Sequence, residues 1–160
     1  LDMSELQTVS RDETIAVDAL VDEVLVDLEP LAQEKEIKLI GNCNDTTMVG
    51  SDILIYRMVY NLVENAIKYN HFGGQVTVTA YRKGKNICLS VEDTGSGIPA
   101  ELKERIFEPF FRVDKSRSRQ LGGVGLGLAL VHEIVRVHDG RITVQSSPSG
   151  GTIFEVVFTQ

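Results

Sequence analysis

Cysteine is scarce in this chain of 160 residues, and the two cysteines present do not form a recognisable site. Cys43 and Cys88 have neither metal-ligand spacing nor a partnering histidine. Their arrangement favours reduced thiols in a cytosolic domain over a disulfide framework or a zinc centre. Cys88 lies in an apolar run, so we expect it to be part of the core.

Basic residues are outnumbered by acidic residues, 16 to 23, which gives a net charge of −7 and a pI near 5.0. Binding to nucleic acid requires a basic surface that replaces counterions, so this class of partner is not expected. One glycine-bounded segment is locally basic and contains Lys103, Arg105, Arg112, Lys115, Arg117 and Arg119. A single basic stretch in an acidic protein indicates a small anionic ligand.

Long apolar runs are also missing. The uncharged stretch 121–131 contains four glycines, and it is shorter than the roughly 20 apolar residues of a membrane span. Asp2 and Glu5 are atypical of a signal peptide. We therefore expect a cytoplasmic domain without membrane contact, whether or not a longer parent protein is anchored. A chain of 160 residues is long enough to form its own core.

The apolar periodicity predicts an α/β two-layer sandwich, in which a mixed, mostly antiparallel sheet carries three main helices on one face. Helices are expected from residue 15 to about 33, from the capping residue Ser51 to Tyr69, and over 128–138. Strands are expected at 37–40, 46–49, 75–81, 87–92, 141–146 and 152–158. Residues 1–13 are polar and aperiodic, which is typical of a linker. The long segment 99–123, with a short helix near 101–106, is typical of a lid or binding loop.

Asn61 and Asn65 lie four residues apart on the second predicted helix, so both side chains project from one face. Two carboxamide oxygens on one face suit a hard cation such as Mg²⁺. The alternative, that the pair is simply solvent-facing, stays open.

Two glycine-rich segments suggest a nucleotide site. Asp93 follows a predicted strand, so its carboxylate can accept a hydrogen bond from an adenine amino group while Gly95 and Gly97 allow close backbone approach. The same pattern also occurs in ordinary turns and calcium loops. The turn 122–127 opens the third helix, where bare amides bind phosphates, and it matches neither the Rossmann nor the P-loop pattern. A purely structural turn is the alternative.

Four blocks occur in a fixed order: Asn-Leu-Val-Glu-Asn-Ala-Ile-Lys-Tyr at 61–69, Asp-Thr-Gly-Ser-Gly-Ile-Pro at 93–99, Phe-Glu-Pro-Phe-Phe-Arg at 107–112 and Gly-Gly-Val-Gly-Leu-Gly-Leu at 122–128. They resemble the N, G1, F and G2 boxes of the catalytic, ATP-binding domain of bacterial sensor histidine kinases. The resemblance runs from about residue 14 to the C-terminus. It implies a Bergerat fold with a mobile ATP lid at 14–160, and residues 1–13 as the remnant of a preceding helical hairpin domain.

The resemblance also implies roles for individual residues. Asn65 and Asn61 match the metal-binding positions, Asp93 matches the aspartate that reads adenine, and Arg112 and Arg117 match arginines of the lid. The implied catalytic residues are Asn61, Lys68, Arg112 and Arg117. The implied nucleotide-binding residues are Asn61, Asn65, Lys68, Tyr69, Asp93, Gly95, Gly97, Ile98, Gly123, Val124, Gly125, Leu126, Gly127, Leu128 and Thr152. Lys68 and the arginines could instead be ordinary solvated cations, and the phenylalanines of the F box could be core residues.

Position 61 bears on the reaction. Hydrolysing relatives in the wider superfamily have a glutamate there that activates water, whereas Asn61 cannot take a proton at neutral pH. Glu64 is displaced around the helix from Asn65, so transfer to an external nucleophile is favoured over hydrolysis.

The acceptor implied by the resemblance is a histidine on a separate dimerisation and phosphoacceptor domain, and the downstream partner is a response regulator. We expect the fragment itself to be monomeric. His132 and Glu133 imitate an acceptor pair, but they follow the G2 box, where the family has no acceptor. Two alternatives stay open: an ATP-hydrolysing or serine-phosphorylating relative, and a nucleotide-sensing interaction module that does not transfer phosphate.

Overall fold

The computed structural model describes residues 3–108 and 127–160. Its main sheet has five strands in the order β2, β4, β5, β7, β6. These strands are β2 (Lys38–Cys43), β4 (Gln75–Lys83), β5 (Asn86–Asp93), β6 (Arg141–Ser146) and β7 (Thr152–Thr159). β2 and β4 are parallel, whereas every other neighbouring pair is antiparallel. The predicted mixed, mostly antiparallel sheet is therefore confirmed.

Three α-helices lie within the described ranges: α1 (Val17–Glu34), α2 (Asp52–Lys68) and α3 (Gly127–Val137). Each turns an apolar stripe toward the core at the helical spacing predicted from sequence. α2 begins as predicted, because Ser51 Oγ accepts a hydrogen bond from the Leu54 amide at 3.3 Å. In this part of the chain, no helix is both long and apolar enough to cross a membrane.

The core lies between the sheet and the helices. Alternate residues of β7 are buried while their neighbours are partly exposed, which is the pattern of a strand with one covered face. Phe154 and Phe158 are its largest buried side chains, and α2 contributes Leu62, Val63 and Ile67. Cys88 is buried in β5, as the sequence predicted, whereas Cys43 is only partly covered.

The N-terminal residues have more structure than their sequence indicated. Met3–Thr8 form a 3₁₀ helix that contacts α3, and Leu6 is fully buried. Glu13–Ala16 form β1, which pairs antiparallel with β3 (Thr47–Gly50). A six-residue 3₁₀ helix and a four-residue strand are too short to give a recognisable period. That residues 1–13 are the remnant of another domain stays a prediction.

Two further boundaries differ from the sequence analysis. α1 continues through Pro30 to Glu34, although Pro30 marked the beginning of its predicted end. The short helix expected near 101–106 is a single 3₁₀ turn, Ala100–Leu102. Neither difference changes the order of the layers.

Candidate nucleotide site

The polar residues of α2 lie along one partly exposed face. Asn61, Glu64, Asn65 and Lys68 are partly exposed, while the intervening apolar residues are buried. Asn61 Nδ2 donates to the Gly127 carbonyl at 3.5 Å, so this face meets the first residue of α3. The described part of the chain offers no hydrogen-bond partner to the Asn65 side chain. Its carboxamide is therefore available to a ligand.

The residues present fit a magnesium ion that is held mainly by a nucleotide. Nowhere in the described ranges do three or more His, Cys, Asp or Glu side chains form a group that could hold a metal ion. Mg²⁺ does not require such a group, because it keeps several waters and commonly takes one or two protein oxygens together with substrate phosphates. The Asn65 carboxamide oxygen meets this requirement, and Asn61 lies one turn away on the same face.

Glu64 and Lys68 face each other one turn apart. Their charged atoms are 3.9 Å apart, and the side chains are 33% and 27% exposed. A solvent-exposed pair at this spacing contributes little stability. In this ion pair the Glu64 carboxylate is directed toward Lys68 and the C-terminal end of α2.

Asp93 ends β5 and is 7% exposed. Its Oδ1 accepts hydrogen bonds from the amides of Gly95 at 2.8 Å and Thr152 at 3.3 Å. Burial raises the pKa of this carboxyl group above its ordinary value, and the two backbone hydrogen bonds offset part of the rise. Among the residues described, no donor reaches Oδ2. One oxygen of Asp93 is thus fixed by the protein, and the other can accept a hydrogen bond from a ligand.

Glycines allow three backbone segments to pack around Asp93. A Cβ on Gly95 would lie 2.6 Å from the Tyr69 carbonyl oxygen, and one on Gly151 would lie 2.0 Å from the Asp93 carbonyl oxygen. Gly97 has a φ of +78°, and its Cβ would lie 2.7 Å from the Gly150 oxygen. From sequence, the G1 glycines were predicted to allow close backbone approach to the adenine base. In the structure they also leave room for the end of α2 and for the β6–β7 loop.

Asn70 and Thr94 support this turn, and the sequence analysis missed them. Asn70 is 1% exposed, and its Oδ1 accepts from Thr94 Oγ1 at 3.1 Å and from the His71 amide at 2.8 Å. Asn70 Nδ2 donates to the Gln75 carbonyl at 3.0 Å, and the Gln75 amide donates to Thr94 Oγ1 at 3.0 Å. The end of α2, the start of β4 and the end of β5 are therefore tied together. In the sequence, Asn70 and Thr94 were indicated only by their positions, one directly after the N box and the other within the G1 box.

The remaining predicted residues differ in their surroundings. Ile98 and Leu128 pack, partly buried, against the core, and Tyr69 is partly exposed. Gly127 begins α3 at the surface, and the buried Thr152 contacts Asp93 through its backbone amide. The residues predicted for the lid and the glycine turn, Arg112, Arg117, Gly123, Val124, Gly125 and Leu126, lie outside the described residues. Their roles stay predictions, as does each site assignment made from sequence.

Phe107 begins the F box and is anchored in the core. Its ring lies 5.4 Å from that of His132 and 6.2 Å from that of Phe154, measured between centroids. Ile106, just before it, is buried. The first residue of this box is thus a packing residue that connects the segment after β5 to α3 and β7.

The histidines differ in environment. His132 is exposed on α3 beside Phe107 and Glu133. His138 Nε2 accepts from the Ser51 amide at 3.0 Å, so Nδ1 carries the proton and donates to the Ile134 carbonyl at 2.8 Å. Burial lowers the pKa of His138. It is therefore a neutral link between the end of α3 and the start of α2, although its position after a helix would suit a cation.

Comparison with known proteins agrees with this geometry. The sequence profile of the family described as "Histidine kinase-, DNA gyrase B-, and HSP90-like ATPase" matches residues 50–160. The sensor-like histidine kinase SenX3 of Mycobacterium tuberculosis is 38% identical over 158 residues, which cover 96% of this chain and 38% of that protein. The chain thus spans less than half the length of this relative.

Solved structures show the same fold. The nucleotide-free catalytic domain of histidine kinase ThkA has a TM-score of 0.83 and 27% identity, with 94% of this chain and 96% of that one covered. Full-length ShkA, solved in complex with AMPPNP, has a TM-score of 0.84 and 25% identity, covering 98% of this chain and 33% of that one. ThkA in complex with the response regulator TrrA has a TM-score of 0.78 and 26% identity, covering 92% and 41%. The chain belongs to the histidine kinase-, DNA gyrase B- and HSP90-like ATPase family, within which it corresponds to the catalytic domain of sensor histidine kinases.

Proposed function

We propose that this domain binds Mg²⁺–ATP and transfers the γ-phosphoryl group to a histidine on a separate helical domain of a two-component sensor. The observation that carries the proposal is the environment of Asp93. One carboxylate oxygen is held by two backbone amides, and the other has no donor in the described ranges. A buried acceptor of this kind suits the amino group of adenine.

The other residues complete the nucleotide site around Asp93. Asn65, with Asn61, supplies oxygens to the metal, which when bound neutralises phosphate charge. Lys68 stands one turn further along α2, where its ammonium can approach the phosphates. We assign the lining of the nucleotide to the partly exposed Tyr69, Ile98 and Leu128 and to the buried Thr152. We assign the phosphate cradle to the turn 122–127 and additional charge stabilisation to Arg112 and Arg117.

The reaction class follows from what α2 lacks. Asn61 is neutral at ordinary pH, and its amide is directed at the Gly127 carbonyl. Glu64 is paired with Lys68 at 3.9 Å, so its carboxylate lies toward the end of the helix rather than beside Asn61. Among the described residues of α2, no carboxylate is directed at Asn61, so we infer that activation of water there is poor. Positioning and electrostatic stabilisation remain, and they suffice for transfer to an external nucleophile.

Two solved relatives support the nucleotide and the downstream partner. ShkA was solved with AMPPNP, and ThkA with its response regulator TrrA. We extend these to the present chain as an ATP ligand, a separate histidine-bearing hairpin as acceptor, and a response regulator that receives the phosphoryl group afterwards.

The test is to incubate the chain with γ-labelled ATP, with and without a helical hairpin domain from a sensor histidine kinase. We expect label on the hairpin only, in an acid-labile and alkali-stable form that is lost when the acceptor histidine is replaced by glutamine. Transfer should be slow, because the tether that raises the effective concentration is absent.

Three other outcomes would contradict this function. Rapid release of phosphate without a hairpin would indicate an ATPase. Acid-stable label would indicate a serine kinase. Nucleotide binding without transfer to any of a panel of hairpins would indicate a sensing module.

A further inference from the structure

Lys35 occupies a cage of backbone carbonyl groups. Its Nζ lies 3.2 Å from the Ile67 oxygen, 2.9 Å from the Lys68 oxygen and 2.8 Å from the Asn70 oxygen. An ammonium group has three N–H donors and no acceptor, so these three oxygens use its full donor capacity. Lys35 follows the last residue of α1, and all three oxygens belong to the C-terminal end of α2 or the two residues after it.

The position suits a cation for a general reason. The last carbonyl groups of a helix have no partner within the helix, and they carry the negative end of its dipole. α2 ends at Lys68 without a glycine cap, and Tyr69 has a φ of −102°. The Lys35 ammonium therefore performs the capping role that a left-handed residue performs elsewhere.

The capped turn is one wall of the candidate nucleotide site. The Tyr69 carbonyl lies against Gly95, where a Cβ would approach to 2.6 Å. The Asn70 side chain accepts the Thr94 hydroxyl at 3.1 Å. Gly95 in turn donates to Asp93 at 2.8 Å. A short path of contacts thus leads from the Lys35 ammonium, through Tyr69 and Asn70, to the adenine acceptor.

We propose that Lys35 is a positioning residue of the nucleotide site: its ammonium fixes the turn 68–70, and through it the Asp93–Gly95 turn and the Lys68 side chain. This inference rests on the proposed ATP site and adds a residue to it that lies outside all four motif blocks. Lys35 does not touch the nucleotide. It acts through the backbone of residues that do.

The test compares binding of a non-hydrolysable ATP analogue to the whole chain and its variants by calorimetry. Lys35→Met keeps an apolar stem but loses the ammonium, and we expect its dissociation constant to rise about tenfold or more. Lys35→Gln keeps two N–H donors and should show a smaller rise. Lys38→Met is the matched control, because Lys38 is an exposed lysine on the adjoining strand β2.

Chemical rescue separates positioning from a general loss of stability. n-Propylammonium supplies the atoms that Lys35→Ala lacks, so it should restore analogue binding in this variant. Tetramethylammonium, which has the same charge but no N–H donor, should not. Neither cation should alter binding by the wild type or by Lys38→Met.

The outcomes are distinct. A folded Lys35→Met that binds the analogue like the wild type would overturn the role of Lys35 and leave the proposed function intact, and so would a folded Lys35→Gln that binds it more weakly than Lys35→Met. Equal rescue by tetramethylammonium would also overturn it, because charge or ionic strength alone would then explain the effect. A wild type that does not bind the analogue would overturn the proposed function and the role of Lys35 together.

Discussion

Replacing Asp93 by asparagine should weaken ATP binding while leaving the empty domain at least as stable. Asparagine has nearly the same shape and can keep the acceptor for the Gly95 and Thr152 amides on Oδ1. The other branch becomes an NH₂ group, a donor that faces the adenine amino donor. A hydrogen bond to a charged group contributes ~1.5–3 kcal/mol, so the dissociation constant should rise about 10- to 150-fold.

The expected stability change has the opposite sign to that of most buried substitutions. Burial raises the pKa of Asp93 in the folded state, so folding disfavours its charged form. A carboxyl group whose pKa is higher folded than unfolded lowers the stability as pH rises through the two values, and the cost is complete only above the folded pKa. The asparagine of the variant does not titrate and avoids this cost, although it accepts the two amides less strongly. Above the folded pKa of Asp93, the net effect of the substitution should be near zero or stabilising.

Two measurements on the same protein decide the matter. Calorimetry with a non-hydrolysable ATP analogue gives the change in affinity, and thermal unfolding without nucleotide gives the change in stability. Asp45→Asn, at an exposed loop position, is the control for the loss of one negative charge. An unchanged affinity in a folded Asp93→Asn would refute the assignment of adenine recognition. A large loss of stability would show instead that Asp93 is a structural acceptor.

Three further predictions test other parts of the site. Asn65→Ala should abolish the enhancement of ATP binding by Mg²⁺ without unfolding the domain, whereas Asn42→Ala, an exposed residue of β2, should keep the wild-type magnesium titration. The wild type should lose stability in thermal melts as pH falls from about 6.5, because the pKa of His138 is lowered in the folded state and protonation breaks the hydrogen bond from the Ser51 amide. His138→Gln should not show this loss. His132→Gln should leave transfer to a hairpin unchanged in a labelling assay, and stoichiometric self-labelling lost in this variant would contradict a separate acceptor.

Much of the fold could be predicted because its elements are long and regular. The stripe along α2 and the alternation of β4, β5 and β7 each report a buried face through several repeats. β1 and the 3₁₀ turn of Leu6 are stabilised by tertiary contacts with β3 and α3, and those contacts leave no period in so short a segment. The extension of α1 past Pro30 is a similar case, where packing outweighs a local helix-breaking signal.

The residues of the candidate site also differ in how well the sequence predicts them. Asp93 and the glycines around it were indicated by sequence because their chemistry depends on local backbone. Lys35 was not, because its partners are 32 to 35 residues away and an isolated lysine near a helix end resembles any surface lysine. Asn70 follows a motif directly but performs a structural task that its sequence position does not reveal.

The position of β5 explains why motifs so distant in the chain meet at Asp93. β5 is the central strand of five, and its end pairs with the start of β4 on one side, where Val76 faces Asp93. On the other side it pairs with the start of β7, where Ile153 faces Glu92. The α2–β4 connection and the β6–β7 loop must therefore converge at the same edge of the sheet. Antiparallel pairing on both sides of β5 places the starts of β4 and β7 beside the end of β5. The N-box helix and the β6–β7 glycines can therefore approach Asp93 together.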